Sequence, residues 1–435
     1  MTAVALDVRR PLVTTGTGEI DLPVASLDRM ASGGHILGVL GPLELPSRDA
    51  LVDAMHRIVA SRPESRVGLV GAGEGRWRWS PDELRGLCER MVTEIGPTDD
   101  LSPARVLEHL VDLIDPELPM RVIVSGDRLL TIADHGVVDG FVNTRLPLAL
   151  VEVARGGDVP DWSTETPSRR PLAAALLQTF VRRPRTVVAL LRARRAEAAV
   201  STSHVAPSLE QVAWTPATTA AWGTVDKAAT KALQTWLRAQ PQPLSFSSAL
   251  LVGLRTALAR EGVRLSPESE MIYDVRRWLP SDGRTTGNFV TGLPVTGIDD
   301  LVAVDHSIRE TVASARPLAA LAVGALKEAL RPADHAAVAR TAPAHARGRV
   351  VLSNVGIVRQ IEKLPWVRGG RPTEVAYTVH PIAPQTLAVQ AVVRGGRLQV
   401  TLGFNDNAFD RDVVERAVAR FAADPLSLLD GAPGA

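Results

Sequence analysis

The residue in this 435-residue chain best placed to do chemistry is His135. It follows a short apolar run at 129–133 and opens the stretch His135-Gly136-Val137-Val138-Asp139-Gly140, with Asp134 just ahead of it. A neutral imidazole titrates close to working pH, so it can take a proton from a hydroxyl or amine nucleophile. Asp139, four residues on, is the less obvious partner. If the loop curls as a turn, the carboxylate points away from the ring and holds the loop through an arginine. Gly136 and Gly140 permit tight backbone geometry at the two ends. The same residues also suit a structural ion pair or a satisfied core histidine, and both readings stay open on spacing alone.

Other chemistries lack their residues. There is no Gly-x-Ser-x-Gly nucleophile elbow and no Gly-x-x-x-x-Gly-Lys-Ser/Thr phosphate loop. Gly71-Ala72-Gly73-Glu74-Gly75 lacks dinucleotide spacing and runs into Arg76-Trp77, so a turn is expected there. His335 and His345 stand ten apart among alanines without a matching carboxylate, and no metal site is expected. A single cysteine, Cys88, excludes an internal disulfide and a cysteine-based zinc site. With 49 basic and 48 acidic residues the net charge is +1, which gives no support to nucleic-acid binding. Residues 1–11 carry Asp7, Arg9 and Arg10 and no continuous apolar core, so no signal peptide is expected and a cytoplasmic location is.

The elements that must position His135 are mixed. Residues 35–45 read as a strand, and 47–59 as an amphipathic helix capped by Ser47. Further helices are expected at 81–95, at 101–113 after Ser102-Pro103, and at 141–154. Runs at 121–124 and 129–133 flank Ser125-Gly126-Asp127 and read as a hairpin that delivers His135. In the second half helices are expected at 225–239, 246–260, 301–313, 318–330 and 410–422. Strands are expected at 271–275, 288–295, 349–352, 375–379, 387–393 and 398–404, the last two joined by Arg394-Gly395-Gly396-Arg397. The expected division is a first lobe over 1–160, a linker region over 161–215 and a second lobe over 216–435.

The linker region is unusual in charge. Between Arg169 and Arg195 it holds eight arginines and no acid. It reads as a solvated basic helix pair, or as a surface for a carrier protein, a CoA phosphate or lipid headgroups at a membrane.

His135-x-x-x-Asp139-Gly140 after a strand resembles the signature of the chloramphenicol-acetyltransferase-like superfamily. That group includes nonribosomal peptide condensation domains, plant BAHD acyltransferases, wax ester synthases and polyketide-associated acyltransferases. Leu27-Asp28-Arg29-Met30 is similar to its opening segment, and Gly287-Asn288-Phe289-Val290-Thr291-Gly292-Leu293-Pro294 to its Gly-Asn-Phe-Val-Asn-x-Leu-Pro strand. Ser353-Asn354-Val355-Gly356 resembles the Ser-Asn-x-Gly element, and 405–421 the closing helix. The likeness runs over nearly the whole chain.

The resemblance implies an α/β fold, an α+β sandwich in two like lobes forming a V with a channel between them. It implies that His135 deprotonates an acceptor, which attacks an acyl thioester directly, without a covalent acyl-enzyme. Asp139 is then a structural carboxylate paired with Arg276, with Arg277 as the fallback. The donor would be acyl-CoA or a phosphopantetheinyl thioester on an acyl carrier protein, used as co-substrate, with no permanently bound cofactor. The acceptor would be a small alcohol giving an ester, or an amine giving an amide, in lipid or secondary-metabolite biosynthesis. A catalytically silent carrier-binding relative is the remaining class. Asp134 departs from the His-His found at this point in many members, and it bears on acceptor binding or on His135 itself. Ser353 and Asn354 are candidates to bind the donor or the oxyanion. Trp278 and Trp366 could line the channel, and Thr291, where many condensation domains have Asn, is assigned no chemistry. The absence of Asp-Phe-Gly-Trp-Gly argues against the BAHD branch, and the lack of fused adenylation or carrier domains suggests a stand-alone enzyme.

Overall fold

The computed structural model of the chain describes residues 13–14 and 18–429, except 74, 166, 169, 201–209, 296, 299, 331–338 and 381. The N-terminal segment, Arg169 and His335 therefore lie outside the described residues. Helices and strands are mixed, as expected for an α/β protein, and two larger sheets dominate. The first has five strands in the order Glu374–His380, His35–Gly41, Arg128–Asp134, Met120–Ser125, Val92–Ile95. All its pairs are antiparallel except Val92–Ile95 against Met120–Ser125. The second has six strands in the order Thr218–Val225, Arg397–Asn405, Thr386–Arg394, Arg349–Ile357, Ser269–Asp274, Val290–Val295.

Each sheet is covered by amphipathic helices whose apolar stripes fall at helical spacing. On the first sheet Leu51, Met55 and Ile58 of Arg48–Ser61 pack with Leu146 and Leu150 of Leu146–Ala154. On the second, Phe246–Arg260 and Arg411–Ala423 bury Leu254, Val414 and Phe421 against Leu387, Val400 and Phe404. Ser47, Ser102, Asp226, Ser245 and Asp410 each accept a backbone N–H at the start of a helix. The helix Pro103–Asp112 joins the two halves. Its Leu107 and Leu110 share one core with Leu37 and Leu130 of the first sheet and Ala220 of the second. Arg128 is fully buried and forms an ion pair with Glu374 at 2.8 Å, which fixes a strand from the C-terminal half in the sheet that carries His135.

Several elements differ from expectation for local reasons. The helix expected at 81–95 ends at Met91, and Val92–Ile95 joins the first sheet as a strand. Val92 and Thr93 are β-branched, and their backbone groups pair with Met120–Ser125 rather than continue the helix. The helix expected at 141–154 is two, Gly140–Asn143 and Leu146–Ala154, because Pro147 has no N–H to donate to the preceding turn and starts a new one. The helix expected at 225–239 begins at Lys227, capped by Asp226, and the preceding Thr218–Val225 is an edge strand in which Ala220, Ala221 and Gly223 interrupt the strand-favouring residues. Residues 171–200 form Pro171–Leu176, a π-helical turn Leu177–Val181 and Arg185–Val200. No helix among the described residues is long and apolar enough to cross a membrane.

Candidate active site

His135 stands one residue beyond the strand Arg128–Asp134, and its backbone N–H donates to Gly34 O at 2.8 Å. Asp134 shapes the turn that follows, its Oδ1 accepting the Gly136 N–H at 2.7 Å. Gly136 is there because the backbone comes close. A Cβ would lie 2.9 Å from Ser32 Oγ and 3.1 Å from Asp134 Oδ1. Gly140 differs from expectation: its φ is not left-handed and a Cβ would meet nothing within 4 Å. It is the first residue of a short helix capped by Asp139, whose Oδ1 accepts the Phe141 N–H at 2.9 Å.

The other Asp139 oxygen, Oδ2, accepts from Arg276 Nη2 at 2.6 Å, and Asp139 is completely buried. Arg276 rather than Arg277 makes the pair; Arg277 lies over the Trp278 ring, 5.5 Å from its centroid. Arg276 reaches further. It donates to Gly287 O at 2.8 Å and to Thr285 O at 3.2 Å, so the ion pair also grips the segment that leads into Asn288.

Asn288 is the neighbour of His135 that spacing could not supply. Its Nδ2 donates to His135 O at 2.7 Å and to Asp28 Oδ1 at 3.1 Å. With acceptors on that side, its Oδ1 is the atom facing His135 Nδ1, at 3.1 Å. A carbonyl oxygen only accepts, so Nδ1 carries a proton, and in the neutral ring the lone pair is then on Nε2. Asp28 is in turn neutralised by Arg66, at 2.8 and 3.0 Å, and both side chains are nearly inaccessible to solvent. Arg66 donates as well to Val137 O at 2.7 Å and Gly136 O at 3.1 Å, inside the His135 loop. Its own backbone is left-handed, at φ 72°, closing the turn after residues 63–65. Gly287 makes room for it, since a Cβ there would meet Arg66 Nη1 at 2.8 Å.

Two buried Arg–Asp pairs thus hold the His135 loop to residues 285–288. We expect Asn288→Ala to lower kcat about 10²-fold, the scale for a misplaced reacting group, with a much smaller change in KM. Nitrogen-15 NMR of the histidines should show the Nδ1–H tautomer in the parent and a mixture in the variant. Unchanged kcat would exclude a positioning role.

His135 and Asn288 line a cavity of about 600 Å³, together with Leu27, Met30, Thr291 and Leu321 among others. Thr291, given no role from the sequence, is therefore in the cavity wall. Ser353 and Asn354 are not among the lining residues. They sit on Arg349–Ile357, where a register shift follows Asn354 and Asn354 Nδ2 donates to Ser247 at 2.8 Å. Trp366 is in the core under the first sheet, and Trp278 packs beside Phe289 and Leu318; neither lines the cavity. Cys88 is buried, which pushes its thiol up to about 12 and leaves it unreactive. Among the described residues no group of three or more His, Cys, Asp or Glu is placed to hold a metal ion.

Two further histidines stand opposite each other beside the site. In the first sheet His35 is paired across one edge with His380 and across the other with Asp134. Burial holds both imidazoles below their ordinary 6.5. At His35 the Asp134 carboxylate opposes this and His135 adds to it, while at His380 the neighbouring His35 adds to it. A lowered histidine stays neutral in the folded chain while the unfolded chain takes up the proton. This contribution to stability is therefore present above pH 6.5 and is lost as the pH drops below it. Tm measured from pH 7.5 to 5 should fall, and His380→Asn should flatten the fall.

No family model matches the sequence, and no curated protein matches it. Solved structures do match. The trichothecene 15-O-acetyltransferase of Fusarium sporotrichioides superposes with a TM-score of 0.67 at 12% identity, over 98% of this chain and 100% of that one. The first condensation domain of the calcium-dependent antibiotic synthetase gives 0.56 at 15%, over 93% and 92%. The epimerization domain from the third module of tyrocidine synthetase B gives 0.52 at 13%, over 93% of each. The fold is that of chloramphenicol-acetyltransferase-like and condensation-domain proteins.

Proposed function

We propose that this chain is an acyltransferase that moves an acyl group from a thioester, on CoA or on a carrier protein, to a hydroxyl acceptor to form an ester. The observation that carries the reading is the Asn288 contact, which fixes the proton on His135 Nδ1 in a ring that lines the cavity. In the proposed reaction the acceptor O–H gives its proton to His135 Nε2 as the oxygen attacks the thioester carbonyl. The tetrahedral oxyanion then collapses, the C–S bond breaks, and the imidazolium returns the proton to the leaving thiolate. No serine or cysteine nucleophile is needed.

Asp139 and Arg276 take no proton in this scheme; they hold the loop. Asp134 acts as the turn former that sets the entry of His135. Asn354, half-buried and with no partner for its Oδ1 among the described residues, and Ser353 beside it are polar groups for the donor arm. The same base would serve an amine acceptor, so amide formation is the second product class.

The test is thiol release from acyl-CoAs ranging from acetyl to palmitoyl, with mixed alcohols and amines and products identified by mass. Parent and His135→Ala run side by side, and a phosphopantetheinylated carrier protein serves as a second donor. Ester formed by the parent and lost in the variant supports the reading. An amide would replace the acceptor class, and no transfer from either donor would leave the silent carrier-binding relative.

A further inference from the structure

Large apolar side chains left exposed are not scattered over this molecule. Of the twelve found among the described residues, ten belong to four neighbouring helical pieces: Ser26–Ala31, the run from Pro171 to Val200, Leu301–Ala313, and Arg316–Ala329 with its cap Leu330. These pieces pack on one another. Within them the exposed residues fall at helical spacing, as in Leu177 and Val181, Val188 and Leu191, or Val323, Leu326 and Leu330. An apolar stripe is thus turned outward while another is buried.

The same surface is basic. Arg182, Arg183, Arg185, Arg192 and Arg195 are exposed, and among the described residues none of them has a carboxylate partner. The acids Asp305 and Glu328 of the neighbouring helices lie against Arg309 and Arg29, leaving Glu310 as the exposed one on those two helices. The patch is continuous with the cavity of His135. Met30, about half exposed, lines that cavity and packs close to Gly324, and Leu321 on the same helix lines it too.

From these observations we infer that this helical face docks on an anionic lipid surface, with the His135 cavity opening beside it. Aliphatic side chains spread over these helical pieces and flanked by arginines with no carboxylate partner among the described residues fit the boundary between headgroups and acyl chains. An acidic carrier protein would satisfy the arginines but would leave most of the aliphatic side chains in water. The apolar wall of Leu27, Met30 and Leu321 gives a lipid chain or lipid alcohol a path from the bilayer to the base. This last step rests on the acyltransferase reading; the docking does not.

The full chain is sedimented with vesicles of phosphatidylcholine alone or with about 30% phosphatidylglycerol, at low and high salt. Binding is expected to the anionic vesicles and to weaken with salt. Arg182→Glu/Arg183→Glu/Arg185→Glu should lower partitioning about 100-fold or more, and Val181→Asp/Leu191→Asp should also release the protein. Both variants should stay folded by circular dichroism, since every changed side chain is exposed. His135→Ala should bind as the parent does. No binding to anionic vesicles at low salt, or binding that both patch variants retain, overturns the inference. So does a patch-dependent complex with an acidic carrier protein when vesicles are not bound. Vesicle binding without acyl transfer would keep the lipid surface and remove the transferase reading, and transfer without vesicle binding would do the reverse.

Discussion

His135→Ala is expected to lower acyl transfer by about 10²- to 10⁴-fold, the range for removing a general base, with Tm close to that of the parent. The two halves of this expectation rest on different atoms. Activity depends on the ring, whose Nε2 is the base in the proposed reaction. The loop depends on backbone groups that alanine keeps: Gly34 O still receives the residue 135 N–H, and Asn288 Nδ2 still donates to the residue 135 carbonyl. Arg66 also continues to hold the carbonyls of Gly136 and Val137. Of the hydrogen bonds described at this residue, alanine removes the one between Nδ1 and Asn288 Oδ1. Single-turnover transfer and thermal melting on the same preparation check both. Near-parent turnover would remove His135 from the chemistry, and a large fall in Tm would recast it as a structural histidine.

What is legible in the sequence and what is not follows the range of the interaction. Hairpin 120–134 can be read because two apolar runs flank Ser125-Gly126-Asp127, a purely local signal. Arg394-Gly395-Gly396-Arg397 can be read for the same reason, and both glycines adopt the positive φ, 57° and 79°, that such a turn needs. His135 and Asp139 belong to one short loop. Arg276 is reached only through the family resemblance, since no local pattern links it to a residue 137 positions earlier. Arg66 is not reached at all. Its role depends on a left-handed residue after a short helical turn, which aims a guanidinium at carbonyls 70 and 71 residues further along. Asp28 and Asn288 stand inside segments that resemble the family, yet what they do appears only when the fold brings 28, 66 and 288 together. Strand placement has the same limit. Glu374–His380 reads as a strand from its own sequence, while the sheet it joins is decided by pairing with His35–Gly41 and by Arg128.

Arg276→Ala is expected to damage stability and activity together. Asp139 has no exposed surface, and without Arg276 its carboxylate would keep the Phe141 N–H as its described partner. Breaking a buried pair from one side costs about 3–5 kcal/mol, far more than the pair itself contributes, because desolvation of the remaining charge is no longer offset. The arginine also holds Gly287 O and Thr285 O, so its removal frees the segment that presents Asn288 to His135. That connection is why kcat should fall although Arg276 touches no reacting atom. Arg276→Lys should recover part of the Tm, as it restores a cation, but less of the kcat, because an ammonium cannot span the carboxylate and both carbonyls. The double variant Asp139→Asn/Arg276→Ala should melt above Arg276→Ala alone, since it removes the stranded charge. Arg277→Ala, whose guanidinium lies over Trp278 instead, should leave both readouts unchanged. If Arg276→Ala keeps the parent Tm, the ion pair does not hold the loop. A lower Tm with full kcat would separate stability from catalysis and leave the Arg66–Asp28 pair as the clamp on Asn288.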